Sequence, residues 1–277
     1  MQHVHITAEN RLFDLRLREL WQYRDLVWLF TQRSFVVTYK QTVLGPLWLF
    51  LNPLLTSLMQ VVLFGNIARL STDGLPQLLF YLTGNAVWNF FSTCLNHNAF
   101  TFLNNAHLFG KVYFPRLVIP ASSILGNLLR FGIQFSLVLA LLIWYLLRGM
   151  VSPCWAFWPL LPLILLQLGL LGAGFGIIVS SLTTKYRDLS VLVGFGVTLW
   201  MYATPVVYPL STVSGALRTL LLLNPVSAPV ELFRRAVLGV GTVSLPHLAL
   251  SWAVTLLIAL GGIVIFNRVE RTFMDTV

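Results

Sequence analysis

Apolar residues in this chain fall in long unbroken runs separated by short polar or charged intervals. Bounded by charge, proline and glycine, the runs predict six membrane-crossing helices at residues 44–67, 75–103, 114–147, 155–182, 191–208 and 248–266. Each reaches or exceeds the roughly 17–25 residues that carry a helix across a hydrocarbon core. The runs are continuously apolar and do not alternate with period two, so helices are expected and not the strands of a barrel. The expected fold is all-α, a polytopic membrane bundle forming a single domain over residues 1–277.

Two stretches fit neither a span nor a plain loop. Residues 12–30 interleave Leu12, Leu15, Leu20, Tyr23, Val27 and Phe30 with charges, the pattern of an amphipathic helix lying in the membrane interface. Residues 209–241 are moderately apolar, carry Glu231, Arg234 and Arg235, and are interrupted by Pro225 and Pro229. This segment is too polar to cross and too apolar to float free. Short re-entrant or interfacial helices on the outer side are expected there, because irregular backbone at membrane depth survives only where protein or water satisfies it. The domain then divides into an interface segment (1–43), spans one to five (44–208), an outer segment (209–247), a sixth span (248–266) and a tail (267–277).

Composition narrows the class. With 57% hydrophobic residues, 10% charged residues and a mean hydropathy of +0.80, the chain lies far from the roughly 25% charge of soluble domains. A soluble enzyme, a secreted scaffold and a disordered tail are excluded. The net charge of +9 would point to nucleic acid in a soluble protein, but here the charges occupy the gaps between apolar runs and read as topology; no nucleic acid is expected as a partner.

Of the eighteen Lys and Arg, twelve lie in one set of connections: six from Arg11 to Lys40, then Lys111, Arg116, Lys185, Arg187, Arg268 and Arg271. Five lie in the other set (Arg69, Arg148, Arg218, Arg234, Arg235), and Arg130 falls inside a span. The positive-inside rule places both termini in the cytoplasm. Cys94 and Cys154 make no disulfide framework or zinc site, and the charges in the first thirty residues leave no uninterrupted core for a cleavable signal peptide.

Gly110-Lys111 is followed by Val112 and preceded by no glycine-rich loop, so ATP is not bound through a P-loop. The spans carry almost no Asp or Glu, which disfavours proton or Na⁺ coupling. His97, His107 and His247 have no ligand spacing among them, His3 with His5 is too weak a pair to make a metal site, and neither a metal nor a cofactor is expected in this chain.

Five groups of residues stand out. In the second span Asn85, Trp88, Asn89, Ser92, Asn96 and Ala99 recur at helical spacing and form one stripe. Amides and an indole do not face lipid cheaply, so the stripe faces protein or a cavity. It supplies the hydrogen bonds and aromatic faces that sugars need, and it equally suits helix–helix bonding. Arg130 stands mid-span, where a charge costs at least about 2.5 kcal/mol, so it must reach water, an anionic ligand or carbonyls; Asn127 is one turn away. Trp200, Tyr202 and Tyr208, near the end of the fifth span, suit an interfacial belt. Gly169, Gly172, Gly174 and Gly176, with Gly194 and Gly196, allow close helix packing. Gly45-Pro46, after Leu44, forbids a smooth helix between platform and first span and makes a turn there.

Tyr23-Arg24-Asp25-Leu26, Arg33, Tyr39-Lys40-Gln41-Thr42, Leu44-Gly45-Pro46-Leu47-Trp48 and Pro53 follow one another at short fixed spacings. In this order they resemble the N-terminal signature of ABC-2 type permeases that export polysaccharides, the membrane subunits of O-antigen, capsule and teichoic acid transporters. Ser34 and Thr38 depart from that pattern, which often has an acid and a base there. Residues 109–115, 185–188 and 224–234 are similar to later family segments. The resemblance implies a homodimer forming a conduit in the bacterial inner membrane. Two separate ATP-binding subunits would supply ATP and Mg, and a lipid-linked polysaccharide would be moved outward. It also implies that Asn105, His107, Phe109, Lys111 and Tyr113 form a coupling helix docking on the ATPase, and that Trp200, Tyr202 and Tyr208 are part of an aromatic ring lining the conduit. A topology-setting basic turn is the other reading of that loop. The rival readings of the whole chain are an ABC-2 exporter of another lipid, drug or peptide, and a membrane glycan-processing or scaffold protein without an ATPase partner.

Overall fold

The computed structural model describes residues 17–40, 44–101, 104–105, 114–115, 117–183 and 189–274. All regular elements among them are helical. The expected interface helix is two: α1 (Leu17–Gln22) and α2 (Arg24–Tyr39), broken at Tyr23. α2 runs past residue 30, and residues 12–16 lie outside the described set. Leu20, Tyr23, Val27, Phe30 and Thr31 fall three or four apart. They pack on Phe114, Val118, Ile119, Ile177 and Phe266, while Trp28, Leu29, Val36 and Val37 stay exposed. Thr31 Oγ1 ties α2 to the Ser122 carbonyl at 3.2 Å.

The first span opens as a tight turn at Gly45–Leu47, continues as α3 (Trp48–Gln60) and widens into a π-helical stretch at Val61–Ile67. Gly45 has φ +49°, a left-handed conformation that a residue without Cβ adopts at no steric cost. Pro46 follows in the first turn, where its missing N–H is no loss. This is the break expected at Leu44-Gly45-Pro46.

The remaining elements are α4 (Gln77–Ala99), α5 (Val118–Leu147), α6 (Leu161–Thr183, preceded by a 3₁₀ turn at Trp155–Leu160), α7 (Leu189–Tyr202), α8 (Gly215–Leu223), α9 (Ser227–Leu238) and α10 (Leu245–Met274). α4 is the central helix, packed by α6, α5 and α3; α10 covers the far side of α6. The close approach of α4 and α6 depends on two of the predicted glycines. A Cβ on Gly172 would stand 2.7 Å from the Phe91 carbonyl oxygen, and one on Gly176 2.5 Å from that of Leu95. Gly174 meets α10 at Ala259 in the same way, and Gly169 faces Ile124 and Phe90. Gly194 and Gly196 have nothing within 4 Å, so within this chain they pack against no other helix.

Among the described residues four helices are long and apolar enough to cross a membrane: Gly45–Ile67, Val118–Leu147, Trp155–Thr183 and Leu245–Phe266. The two other expected spans fall short for different reasons. α4 has the length, but its amides, hydroxyls and histidine lower its hydropathy. Surrounded by helices, it meets little lipid and its polar groups find protein partners. α7 holds 14 residues, about 21 Å at 1.5 Å per residue, because the chain turns through Pro205 where the apolar pattern ran on to residue 208.

The outer segment holds α8 and α9. α9 is wedged against α4, α6 and α10, and two of its three charged residues, Glu231 and Arg234, are buried. Arg234 donates to Glu231 Oε1 at 2.8 Å and to the carbonyls of Pro205 (2.9 Å) and Val206 (3.0 Å), and its guanidinium stacks 4.1 Å over Phe80. Glu231 Oε2 accepts the Thr242 N–H at 2.9 Å. One ion pair therefore fastens both ends of the outer segment to the central helix.

Candidate functional site

The predicted stripe on α4 divides. Asn85 is buried, donating to Ser57 Oγ at 2.9 Å and Gln60 Oε1 at 2.8 Å while accepting from Gln60 Nε2 at 3.3 Å. Trp88 packs against Phe91, Ser92 bonds back to the Asn89 carbonyl, and Ala99 is buried. Asn85 thus ties α4 to α3, whereas the Trp88–Phe91 and Ser92–Asn89 contacts lie within α4. Asn89 turns instead into a cleft of about 500 Å³ between α3, α4 and α5, where Asn52, Thr93, His97, Arg130 and Gln134 also line the wall. Asn96 is half-buried and lines no cleft described here. Thr93 and His97 were not singled out as site residues, although Asn89, Thr93 and His97 recur every four positions and mark one face of the helix.

Arg130 lies twelve residues into α5. Its Nη1 donates to Asn127 Oδ1 at 2.9 Å and stands 3.4 Å from His97 Nδ1. Asn127, the partner expected one turn earlier, also reaches Cys94 Sγ at 3.5 Å. The arginine is half-buried and faces two cleft volumes. The second, about 380 Å³, lies between α2 and the ends of α4 and α5. Arg33, Ser34, Asn105 and Ser123 line it together with His97 and Arg130. Asn105, expected in the coupling loop, is thus placed on this cleft, with its amide donating to the Thr101 carbonyl at 2.9 Å. His107, Phe109, Lys111 and Tyr113 lie outside the described residues, as do residues 185–188.

Trp200, Tyr202 and Tyr208 border one open pocket of about 660 Å³ with Leu70, Leu217 and Asn224. They are not equivalent. Trp200 is locked edge-on between Phe91 and Phe175, at 5.2 and 5.0 Å, and donates to Asn224 Oδ1 at 3.1 Å. Tyr208 donates to the Tyr202 carbonyl at 2.9 Å, and the Tyr202 ring is exposed. Asn224 also donates to the Ala203 carbonyl and to Thr204 Oγ1, and caps the Val226 N–H. An amide at that position fixes the turn after α7 against the start of α9, which gives the Asn224-Pro225-Val226 segment a structural role.

The arrangement offers polar clefts with cationic walls on one side of the bundle and an aromatic pocket on the other. The family description "ABC-2 type transporter" matches residues 25–238. The chain is 35% identical to the O-antigen export system permease protein RfbA of Myxococcus xanthus, over 76% of this chain and 78% of that one. It is 27% identical to the O-antigen export system permease protein RfbA of Klebsiella pneumoniae, over 91% of this chain and 94% of that one. A match that runs from α2 to the end of α9 takes in the platform, the first five helical elements of the bundle and the buried outer segment together, and on it this chain belongs to the ABC-2 type transporter family.

Proposed function

We propose that this chain is the membrane permease subunit of an ABC exporter that moves lipid-linked polysaccharide outward across the bacterial inner membrane. ATP is hydrolysed on a separate subunit. The observation that carries this reading is the similarity, over 76% and 91% of the chain, to two permeases named for O-antigen export, within a family match covering residues 25–238. The absence of a P-loop motif in the sequence is consistent with a motor on another chain.

In this reading both termini are cytoplasmic and six helices cross, α4 inside the protein and α7 completing its passage with the turn that follows it. Two copies form the conduit. A polymer is too large to be occluded in a pocket of a few hundred Å³, so a continuous path between subunits is required. The α7 face bearing Val191, Phe195 and Leu199 is exposed, with open space beside Gly194 and Gly196. It supports a second subunit there, and Tyr202 continues the same helix into the aromatic pocket, where ring faces suit the C–H surfaces of sugars. The loop at residues 104–116 docks on the ATP-binding subunit.

A deletion strain tests the reading. Loss of this chain leaves finished polymer on the cytoplasmic side of the membrane, and re-expression restores export. A Lys111→Glu variant remains inserted but copurifies with less of the ATP-binding subunit, because the loop presents a cation to the partner surface. Normal surface polymer in the deletion strain overturns the proposal. Topology is checked separately in a Cys94→Ala/Cys154→Ala background: Ser214→Cys is labelled from outside in intact cells, and Thr184→Cys only after permeabilisation. External labelling at position 184 inverts the orientation.

A further inference from the structure

We propose that the rim where α5 ends and α6 begins, together with Arg235 of α9, is a docking surface for an anionic phospholipid of the surrounding bilayer, a resident lipid and not the cargo. That this rim faces the outer leaflet rests on the orientation proposed above. The binding chemistry does not.

Charge and aromatic rings are the first ground. Arg148 closes α5 and holds its guanidinium 4.5 Å from the centroid of the exposed Trp144 ring, one turn earlier. Arg235 on α9 sits 5.1 Å over Phe157, in the 3₁₀ turn that leads into α6. The two cation–ring pairs flank one short connection, residues 149–154, which the Cys154 N–H ties to the Ala236 carbonyl at 3.1 Å. Neither arginine makes an ion pair with a described residue. No Asp or Glu occurs from residue 118 to 183. Glu231, one turn before Arg235, is buried and commits its two oxygens to Arg234 and the Thr242 N–H. The rim therefore carries two guanidinium groups and no carboxylate to offset them, and a phosphodiester supplies the missing charge in the geometry that guanidinium matches.

Position is the second. Ile143, Trp144, Leu147 and Arg148 recur at helical spacing and all are exposed, so the apolar outer flank of α5 runs directly into the guanidinium. Met150 and Trp155 carry the exposed apolar surface across the connection. Trp155 lies 4.7 Å from Trp158, whose own N–H is satisfied by the Ala236 carbonyl at 3.0 Å. The indole N–H groups of Trp144 and Trp155 have no partner among the described residues and are free to donate to a phosphate or ester oxygen. Apolar side chains, then indoles, then guanidinium groups repeat the order of acyl chain, ester and phosphate met on leaving a bilayer. A soluble anion would use the arginines alone and leave Leu147, Met150 and the two exposed tryptophans in water.

Native mass spectrometry of the full-length chain in neutral detergent tests the surface, with phosphatidylglycerol, phosphatidylcholine and sn-glycerol 3-phosphate as probes. Phosphatidylglycerol is retained in preference to phosphatidylcholine. Arg148→Gln and Arg235→Gln each weaken one phosphatidylglycerol site roughly fivefold and together roughly twenty-five-fold, so the double variant carries one lipid fewer per chain than the parent. Arg148 is exposed, so its variant folds and is read alone even where Arg235→Gln, which also loses the Phe157 contact, proves unstable. Arg218→Gln on α8 is the control: this arginine is exposed, with no ion pair and no stacked ring among the described residues, and its loss leaves the lipid preference unchanged. Equal retention of the two phospholipids, unchanged binding in Arg148→Gln, a loss in Arg218→Gln as large as in Arg148→Gln, or glycerol 3-phosphate bound as tightly as the lipid overturns the surface. Because the readout is binding and needs no sidedness, its failure leaves the transport reading standing, and a failed deletion test leaves this surface standing.

Discussion

Arg234→Leu is expected to abolish accumulation of folded protein, the largest effect of any single side chain in the outer segment. The guanidinium is fully buried and satisfies one carboxylate oxygen, two backbone carbonyls and the face of Phe80. Removing one partner of a buried ion pair typically costs about 3–5 kcal/mol, because the other charge is left in a low dielectric. That is a large fraction of the stability of a typical domain. Glu231→Leu is also destabilising, since it strands Arg234 and the Thr242 N–H.

The double variant Glu231→Leu/Arg234→Leu discriminates between charge and shape. It recovers part of the loss by removing the stranded charge. It stays below the natural protein because the carbonyls of Pro205 and Val206 still lack donors. Detergent-solubilised yield and thermal unfolding by size-exclusion chromatography measure all three. Yield and unfolding temperature of Arg234→Leu equal to those of the unmodified chain would show that α9 is held by packing alone.

The second large effect is at the α4–α6 contact. Gly176→Val places a Cβ 2.5 Å from the Leu95 carbonyl oxygen and 2.7 Å from Asn98 Cβ, and Gly172→Val places one 2.7 Å from the Phe91 carbonyl oxygen. The obstructing atoms at both positions include helix backbone, which cannot rotate away as a side chain can. Overpacking usually costs about 1–3 kcal/mol, and here the two helices must separate, so each variant is expected to lie at the upper end or beyond. Gly132→Val on α5 is the control: nothing stands within 4 Å of the added carbon, and its unfolding temperature should match that of the parent. Should Gly176→Val match the parent too, the α4–α6 contact is looser than the geometry requires.

Legibility of the candidate site followed helix geometry. Asn85 and Asn89 are four residues apart, about 40° on a helix of 3.6 residues per turn, and the sequence offers no way to tell which flank meets a neighbouring helix. The structure settles it: Ser57 and Gln60 of α3 meet Asn85, and Asn89 is left to the cleft. Arg130 and Asn127 were legible as a pair because one turn separates them, whereas His97 completes their cluster from another helix. Trp200 is similar. Its distance from the apolar boundary allowed a belt residue, and only the rings of Phe91 and Phe175 make it a buried anchor.

Local, additive properties were determined by the sequence alone. Hydropathy summed over twenty residues marks helices because each residue's transfer energy is nearly independent of its neighbours, so the all-α bundle, the break at Gly45-Pro46 and the close-packing role of Gly172, Gly174 and Gly176 could be read directly. What depends on two segments meeting was decided only by the tertiary structure. α4 carries its amides without facing lipid because α3, α5 and α6 enclose it. Glu231 and Arg234, which argued from sequence against burial, are buried because each is the other's partner and the chain ends at Pro205, Val206 and Thr242 complete their hydrogen bonds. The energy of a polar group inside a protein is set by its contacts, and contacts between residues far apart in the chain exist only once it has folded.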